Sequence, residues 1–407
     1  MLILYNIGIR FYYFFAIIVS LFNTKAKAWV NGRRSQKIIP LKNSIWFHFA
    51  SLGEFEQGRP VMEAIKTLYP EHPIVVTFFS PSGYEIRKNT PLADAVYYLP
   101  LDTASNAQEF VAAIQPVAAI FTKYEYWYHY FNELHSMQVP LYVISAIFRQ
   151  KQVFFKSYGS LHRQILSKIT CLFVQDEASK ELLSTIGISN VLVSGDTRFD
   201  RVWTNANTPK ALPLIQQFKS GHSVFVAGST WPPDEAIIAP LLNTHPDWKF
   251  IFAPHEITSE KIDNLIKLLP KGKTARFSQI AELKNELSTY QALIIDNIGM
   301  LSSLYQYGEI AYIGGGFGVG IHNTLEAAAF GLPVIFGPNY TRFKEARDLV
   351  KLKAGFSINN QQQLTDIANE LIGDNAHWAH ASRTAKNYVA NGKGATEMIM
   401  KNIQIRS

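Results

Sequence analysis

Residues 44–70 read SIWFHFASLGEFEQGRPVMEAIKTLYP, and the fold turns on how this stretch divides. Its first six residues alternate aromatic with small or polar side chains, the period of a strand. From Pro60 onward apolar residues return at helical spacing, so the sequence predicts a helix there. The short connection between them holds Gly53 and Glu54. Glycine lets backbone approach a neighbour closely. In an open α/β sheet this edge, beyond the carboxyl ends of the strands, is where ligands bind. Glu54 therefore has two readings: a carboxylate satisfying amides at a helix start, or a group that acts on a ligand.

The same grammar continues outward. IVVTFFS, AVYYLPL, VAAIFT, LYVISA, CLFVQ and VLVSG are short apolar runs, most of them separated by helix-like segments. This alternation predicts a parallel sheet with helices on both faces. It pauses at RVWTNANTPKALPLIQQFKSGH, which is polar and turn-rich, and a linker is expected over 206–222. It restarts with SVFVAGST, KFIFAPHE, ALIIDNIG, IAYIGGG and LPVIFGP. Two Rossmann-like α/β domains are expected, over 35–205 and 223–375, facing across a cleft. A last helix within 376–407 is expected to pack back on the first domain.

Bulk properties agree with large cores. The 407 residues suit two domains, and 47% apolar with 17% charged residues excludes a disordered chain. Cys171, the one cysteine, lies in the apolar run ITCLFVQ. An intramolecular disulfide and a cysteine metal cluster are thereby excluded, and a reducing compartment fits. Lys and Arg number 39 against 32 Asp and Glu, a mild excess that suits an anionic substrate or a membrane surface.

The N-terminus, MLILYNIGIRFYYFFAIIVSLFNTKAKAWVNGRR, is apolar and aromatic, interrupted by Arg10 and followed by Lys25, Lys27, Arg33 and Arg34. A cleaved signal peptide carries its charge first, whereas here the main cluster follows. The uninterrupted apolar run is shorter than the ~20 residues that span a bilayer. Residues 1–34 are expected to anchor the chain in or on the inner leaflet, the basic cluster staying on the cytoplasmic side. A single span with Arg10 near an interface and a purely structural helix are the other readings.

Familiar phosphate and metal motifs fail. GGGFGVG gives no G-x-G-x-x-G in any frame, and no G-x-x-x-x-G-K-[ST] occurs. HEITS at 255–259 lacks a second histidine, and there is no D-x-D pair to hold a diphosphate through a divalent metal. What remains is a set of polar residues at strand ends, in GDTRFD (195–200), GSTWPPDE (228–235), PHE (254–256), DNIGM (296–300) and GIHNTLEAAAFGLPVIFGP (320–338). In the last, a helix is expected to open near His322 and Asn323, with amides for a phosphate and Glu326 placed for a ribose. Capping alone would explain Glu326, but not the five glycines before it.

In order along the chain, ASLGEFEQGRP, YLPLDTASNAQEFVAAIQPVAAIFTKYEYW, SGDTRFD, AGSTWPPDE, IIDNIGMLSSLYQYGEIAYIGGGF and HNTLEAAAFGLPVIFGP resemble signature segments of one family. That family is the 3-deoxy-D-manno-octulosonic acid (Kdo) transferases, and the similarity runs from about residue 44 to about 345. The resemblance implies a GT-B glycosyltransferase: two Rossmann-like lobes with an N-terminal membrane-anchoring helix. It implies transfer of Kdo from CMP-Kdo to the lipid A precursor, in lipopolysaccharide synthesis at the cytoplasmic face of the inner membrane of Gram-negative bacteria. The reaction would invert the anomeric carbon without a metal, and CMP-Kdo is a donor substrate rather than a cofactor.

Residue by residue, Glu54 in SLGE matches the family's general base, which must be ionised within reach of the hydroxyl proton. A helix N-terminus favours the charged carboxylate. Glu125 in KYEYW and Arg198 in GDTRFD match the transition-state-stabilising set, with arginine in place of the family's lysine, which turns a point charge into a fork. The resemblance implies CMP contacts from Pro254 and His255, from Ile298, Gly299 and Met300, and from Asn323, Thr324, Leu325 and Glu326. Ser229 and Thr230 are candidate phosphate contacts.

The chain also departs from the family pattern. PHE stands for PRH, replacing a permanent cation with a titratable ring. STWPPDE stands for STHeGEE, DNIGML for DtmGEL, and GIHNTLE for GGHNpLE. On the acceptor side, no acidic residue occurs between Glu133 and Asp176, while Arg149, Lys151, Lys156, Arg163 and Lys168 do. Arg149, Lys151 and Lys156 are expected to face an anionic lipid at the membrane rather than a nucleic acid. The alternatives are another GT-B glycosyltransferase using a UDP-sugar, or a catalytically silent nucleotide- or lipid-binding scaffold.

Overall fold

The apolar runs become two parallel sheets. The computed structural model of the chain describes residues 1–283 and 286–405. Strands β1 (Ser44–Phe49), β2 (Ile74–Phe78), β3 (Ala95–Tyr98), β4 (Pro116–Thr122), β5 (Leu141–Ala146), β6 (Cys171–Val174) and β7 (Val191–Val193) form the first. Their order is β3-β2-β1-β4-β5-β6-β7, every neighbouring pair parallel. The second comprises β8 (Val224–Thr230), β9 (Lys249–Pro254), β10 (Thr274–Arg276), β11 (Ala292–Ile294), β12 (Ile310–Ile313), β13 (Val334–Phe336) and β14 (Gly355–Ser357). Its order is β10-β11-β9-β8-β12-β13-β14, again all parallel, with β11 returning between β9 and β10.

Each sheet reverses its winding once. In the first, the chain steps outward from β1 through β2 to β3, then returns to β4 on the other side of β1. In the second, the reversal lies between β8 and β12. A crevice opens at such a switch point beyond the strand carboxyl ends.

Helices cover both faces, so central strands are buried throughout. All six residues of β1 are buried, His48 included, as a strand covered on both faces requires. Burial of side chains the size of Phe47 or Phe49 is worth ~1.5–3 kcal/mol each. Helix α3 follows at Leu52–Leu68, eight residues earlier than the spacing after Pro60 suggests, and Pro60 lies inside it. Glu54 therefore stands in the first turn of the helix rather than in a free connection.

Two compact units result: Met1–Arg201 with the chain from Gly392 onward, and Val202–Asn391. The stretch 206–222, read as a linker, contains a helix at Pro213–Lys219 that buries Ile215 and Phe218. The segment read as one returning helix is two. Asn375–Gly392 places Ala381 in the second core, and Ala395–Asn402 places Ile399 in the first, beside Phe47 and Phe173.

At the N-terminus, α1 (Leu2–Ser20) and α2 (Thr24–Ser35) form a hairpin on the first unit, α2 capped by the Asn23 side chain. Among the described residues α1 is the helix long and apolar enough to cross a membrane. One side of it is docked: Tyr5 donates to Asp102, Asn6 meets His129 Nε2 at 2.7 Å, and Tyr12 packs edge-on against Trp29. The other side exposes Ile3, Leu4, Ile7, Phe11, Phe14 and Phe15.

Candidate active site

In the first unit, Glu54 follows β1 and Glu125 follows β4, the two neighbours that flank the switch point. Ser51, the residue before α3, donates its hydroxyl to Glu54 Oε2. Glu125 Oε2 accepts the Trp127 indole N–H at 3.1 Å and meets His48 Nε2 at 3.1 Å. Behind it runs a buried relay: His48 Nδ1 lies 2.8 Å from Thr77 Oγ1, which also accepts the Trp46 indole N–H at 2.8 Å. A carboxylate only accepts, so His48 carries a proton on Nε2. The relay holds Glu125 while the carboxylate stays partly open, with 15% of its side chain exposed.

Arg198, beyond β7, is forked onto Asp196, with Nε at 2.9 Å and Nη2 at 2.7 Å from Oδ2. Asp196 Oδ1 accepts Gln57 Nε2 from α3 at 2.7 Å and the Arg198 amide at 2.9 Å. Burial pushes the Asp196 carboxyl up, but the Arg198 charge and hydrogen bonds, helped by Lys123, outweigh it and hold the group below its ordinary value. Exposed Tyr124 marks where charges converge. Burial pushes its phenol up, Arg149 and Arg198 draw it down, and Glu54 and Asp176 raise it. Lys123 (φ 61°) and Ser145 (φ 52°), at the ends of β4 and β5, hold left-handed conformations. Such backbone costs ~1–3 kcal/mol and collects at functional sites.

Of the basic stretch, Arg149 and Lys151 are exposed and Lys156 is half-buried. Arg163 turns inward and donates to the Phe154 and Lys156 carbonyls. Phe148 and Phe154 are buried against Tyr126, so these two aromatics are core rather than stacking platforms.

In the second unit, the end of β8 and the glycine loop after β12 flank the switch point. They nearly touch: a Cβ on Gly314 would stand 2.1 Å from the Ser229 carbonyl oxygen. Asp234 ties them together, accepting the amides of Trp231 and Gly315 at 2.9 Å each and the Tyr312 hydroxyl at 2.8 Å. Thr230 donates its hydroxyl to Glu235 and is buried, whereas Ser229 is half-exposed with φ 53°. Trp231, His255 and His322 form a stack, with centroids 4.8 Å and 4.4 Å apart. Trp231 Nε1–H donates to His322 Nε2 at 3.2 Å. An indole nitrogen only donates, so neutral His322 carries its proton on Nδ1. Burial, then neighbouring His255, pushes the His322 ring down to about 4; burial and Lys261 lower His255.

The glycine loop also meets a cation. A Cβ on Gly320, whose φ is 138°, would lie 2.4 Å from Arg342 Nη2. The helix expected near His322 starts at Leu325 and ends at Ala329. Asn323 Nδ2 donates to Glu326 at 3.0 Å, and its Oδ1 accepts the Leu325 amide. Thr324 and Leu325 side chains are buried, while Ile298 is 89% exposed.

Comparison with known proteins agrees with this layout. Residues 23–201 match the family described as 3-Deoxy-D-manno-octulosonic-acid transferase (kdotransferase). A 3-deoxy-D-manno-octulosonic acid transferase of Aquifex aeolicus is 28% identical over 339 residues, 81% of this chain and 86% of that protein. The protein of the same description from Haemophilus influenzae is 28% identical over 82% of this chain and 80% of its own. The chain is thus similar to the Kdo transferases, by the family model over residues 23–201 and by relatives over most of its length. Its fold also matches a Rickettsia africae glycosyltransferase, with TM-score 0.54 and 13% identity over 89% of this chain and 97% of that one.

Glu54, Glu125 and Arg198 all lie beyond strand ends of the first sheet. Ser229, Thr230, His255, Ile298–Met300 and Asn323–Glu326 lie at or beyond strand ends of the second, and Pro254 closes β9. Four partners escaped the reading of the sequence: His48, Asp196, Asp234 and Arg342. Asp196 and Asp234 stood inside quoted motifs, two residues from Arg198 and four from Thr230. His48 had one signal, a histidine inside a strand two residues before the active edge. Arg342 had none.

Proposed function

We propose that the chain transfers Kdo from CMP-Kdo to the primary hydroxyl of a lipid A precursor with inversion, Glu54 acting as general base. The observation that carries this reading is the pair of carboxylates, Glu54 and Glu125, flanking the switch point of the first sheet. Glu54 takes the hydroxyl proton as that oxygen attacks the anomeric carbon. The bond to the CMP phosphate oxygen breaks, its electron pair leaving with CMP, so no covalent enzyme intermediate forms. Negative charge grows on the departing phosphate, where a fixed cation is worth most. Arg198 supplies one, its fork oriented by Asp196. His255 is held toward its neutral form, so the charge it cannot meet falls to Arg342 beside the glycine loop. Arg149, Lys151 and Lys156 receive the anionic acceptor, and the exposed face of α1 rests in the inner membrane with the catalytic units on the cytoplasmic side.

The test is mass spectrometry of the lipid after incubation with CMP-Kdo, an acylated lipid A precursor and a chelator. A gain of whole Kdo units is expected, and Glu54→Gln should lower turnover ~10²–10⁴-fold while donor binding persists. An unchanged lipid with intact donor, or full turnover by the Glu54 variant, would overturn the respective part.

A further inference from the structure

The first unit holds a partly open cavity of about 350 Å³ beside α1, lined by Ile9 and Tyr12 of that helix and by Phe79, Leu99, Leu101 and Trp127. The two charged residues at its margin are already served by protein. Arg33 donates to the carbonyls of Leu99, Phe79 and Trp29 and lies 3.8 Å over the Trp29 ring. Asp102 accepts the Tyr5 hydroxyl and the amides of His129 and Tyr130. What faces the space is hydrocarbon, and apolar cavities exclude water and take apolar guests. Its size falls within the ~300–1,000 Å³ of ordinary ligand sites.

Two further features say what the guest is. The roof is one helix thick, and its outer face is the exposed Ile, Leu and Phe surface of α1, so a lipid tail has a short path inward. The wall belongs to the active site as well. The Trp127 ring stacks on Phe79 at 5.3 Å, while its indole N–H is the donor to Glu125. A chain lying against that ring presses on a group that orients a candidate catalytic carboxylate. We propose that this cavity receives one acyl chain of the lipid acceptor, and that Trp127 is a positioning residue that couples its occupancy to Glu125. The proposal rests on the acceptor reading given above.

The experiment is photolabelling of the full chain in phosphatidylethanolamine vesicles. One probe is an acylated lipid A precursor bearing a diazirine in an acyl chain, the other a phosphatidylethanolamine with the same tail. The precursor probe is expected to label the segments holding Phe79 and Leu99–Leu101, and the phosphatidylethanolamine probe only the outer face of α1. Leu101→Trp, or Ile9→Phe should that variant fail to fold, should cut cavity labelling at least fivefold with membrane partition unchanged. Trp127→Phe should preserve labelling and lower kcat about tenfold with KM within twofold. No label inside the cavity, or equal label from both probes, overturns the assignment to the acceptor; a rise in KM alone overturns the coupling. Labelling needs no turnover, so a labelled cavity without product would refute the transfer reaction and leave the site standing.

Discussion

Glu125 is gripped from two directions, by an indole on one side and by a buried imidazole on the other. Removing the imidazole should be felt twice. His48→Phe leaves the Thr77 hydroxyl without its ring partner inside the sheet, which costs ~1–3 kcal/mol and should show as a lowered urea midpoint. It also frees Glu125 to rotate, and turnover should fall about tenfold, the order expected when a site loses its fixed geometry. His48→Gln, which can restore one hydrogen bond, should recover part of both. Glu54 and Glu125 were legible because their surrounding letters match a family pattern. His48 was not, because nothing in the letters SIWFHF says that its ring will meet a carboxylate brought in by a different strand. Arg198 was legible as a cation but not as half of an ion pair, since nothing in the spelling GDTRFD says that Asp196 folds back under it.

Between elements, the ends of β8, β9 and the glycine loop are joined by the Trp231, His255 and His322 stack. Two departures from the family pattern, Trp231 and His255, thus meet in one structure: a flat indole packs on the ring that stands where an arginine is usual. Trp231→Phe keeps the stack and removes the N–H. The nitrogen-15 spectrum of His322 should then show a mixture of tautomers, and the donor KM should rise severalfold with kcat little changed. Unaltered tautomer signals would sink this account. The same ring predicts a pH effect. His322 in the folded chain titrates near 4, below its ordinary 6.5, so unfolding takes up a proton in between. Its contribution to stability is complete above about 6.5 and is lost as pH falls toward 4. After allowance for partial exposure the loss is ~1 kcal/mol at pH 5, and calorimetry should show a lower Tm at pH 5 than at pH 7. Most strands could be read from their apolar runs. The exceptions, β10 and β14, are three-residue edge strands, Thr-Ala-Arg and Gly-Phe-Ser, too short to carry a period. The helix start at Leu52 was hidden because Pro60 looks like a first-turn proline.

Across the molecule, the two-domain α/β plan was visible because each half repeats the same strand-and-helix alternation. The bounds of those halves were not, since the helix at Pro213–Lys219, which buries only Ile215 and Phe218, is polar enough to pass for a linker. At this scale α1 makes a separate prediction. Its docked side holds polar ties and its outer side is mostly apolar with exposed Arg10 at its margin, the pattern of a helix lying in an interface. Replacing Phe11, Phe14 and Phe15 with serine should move the protein from vesicles to the supernatant on flotation, with the melting profile unchanged. Persistent vesicle binding would refute the role given to that face.

The helix Ala395–Asn402 has a consequence for how the protein is made. It packs on α3 and sets Ile399 and Ile403 into the core that Ile45, Phe47 and Phe173 began. Asp200 clasps the amides of Gly394 and Thr396, and Tyr142 bonds the chain at Gln404. The first unit is therefore made of chain on both sides of the second, and its core closes only once residues 395–403 have left the ribosome. The second unit, one continuous stretch, can finish while the first still lacks its final helix. During that interval the apolar surface of α1 is already formed from earlier chain, while the core that Ile399 and Ile403 complete is still open.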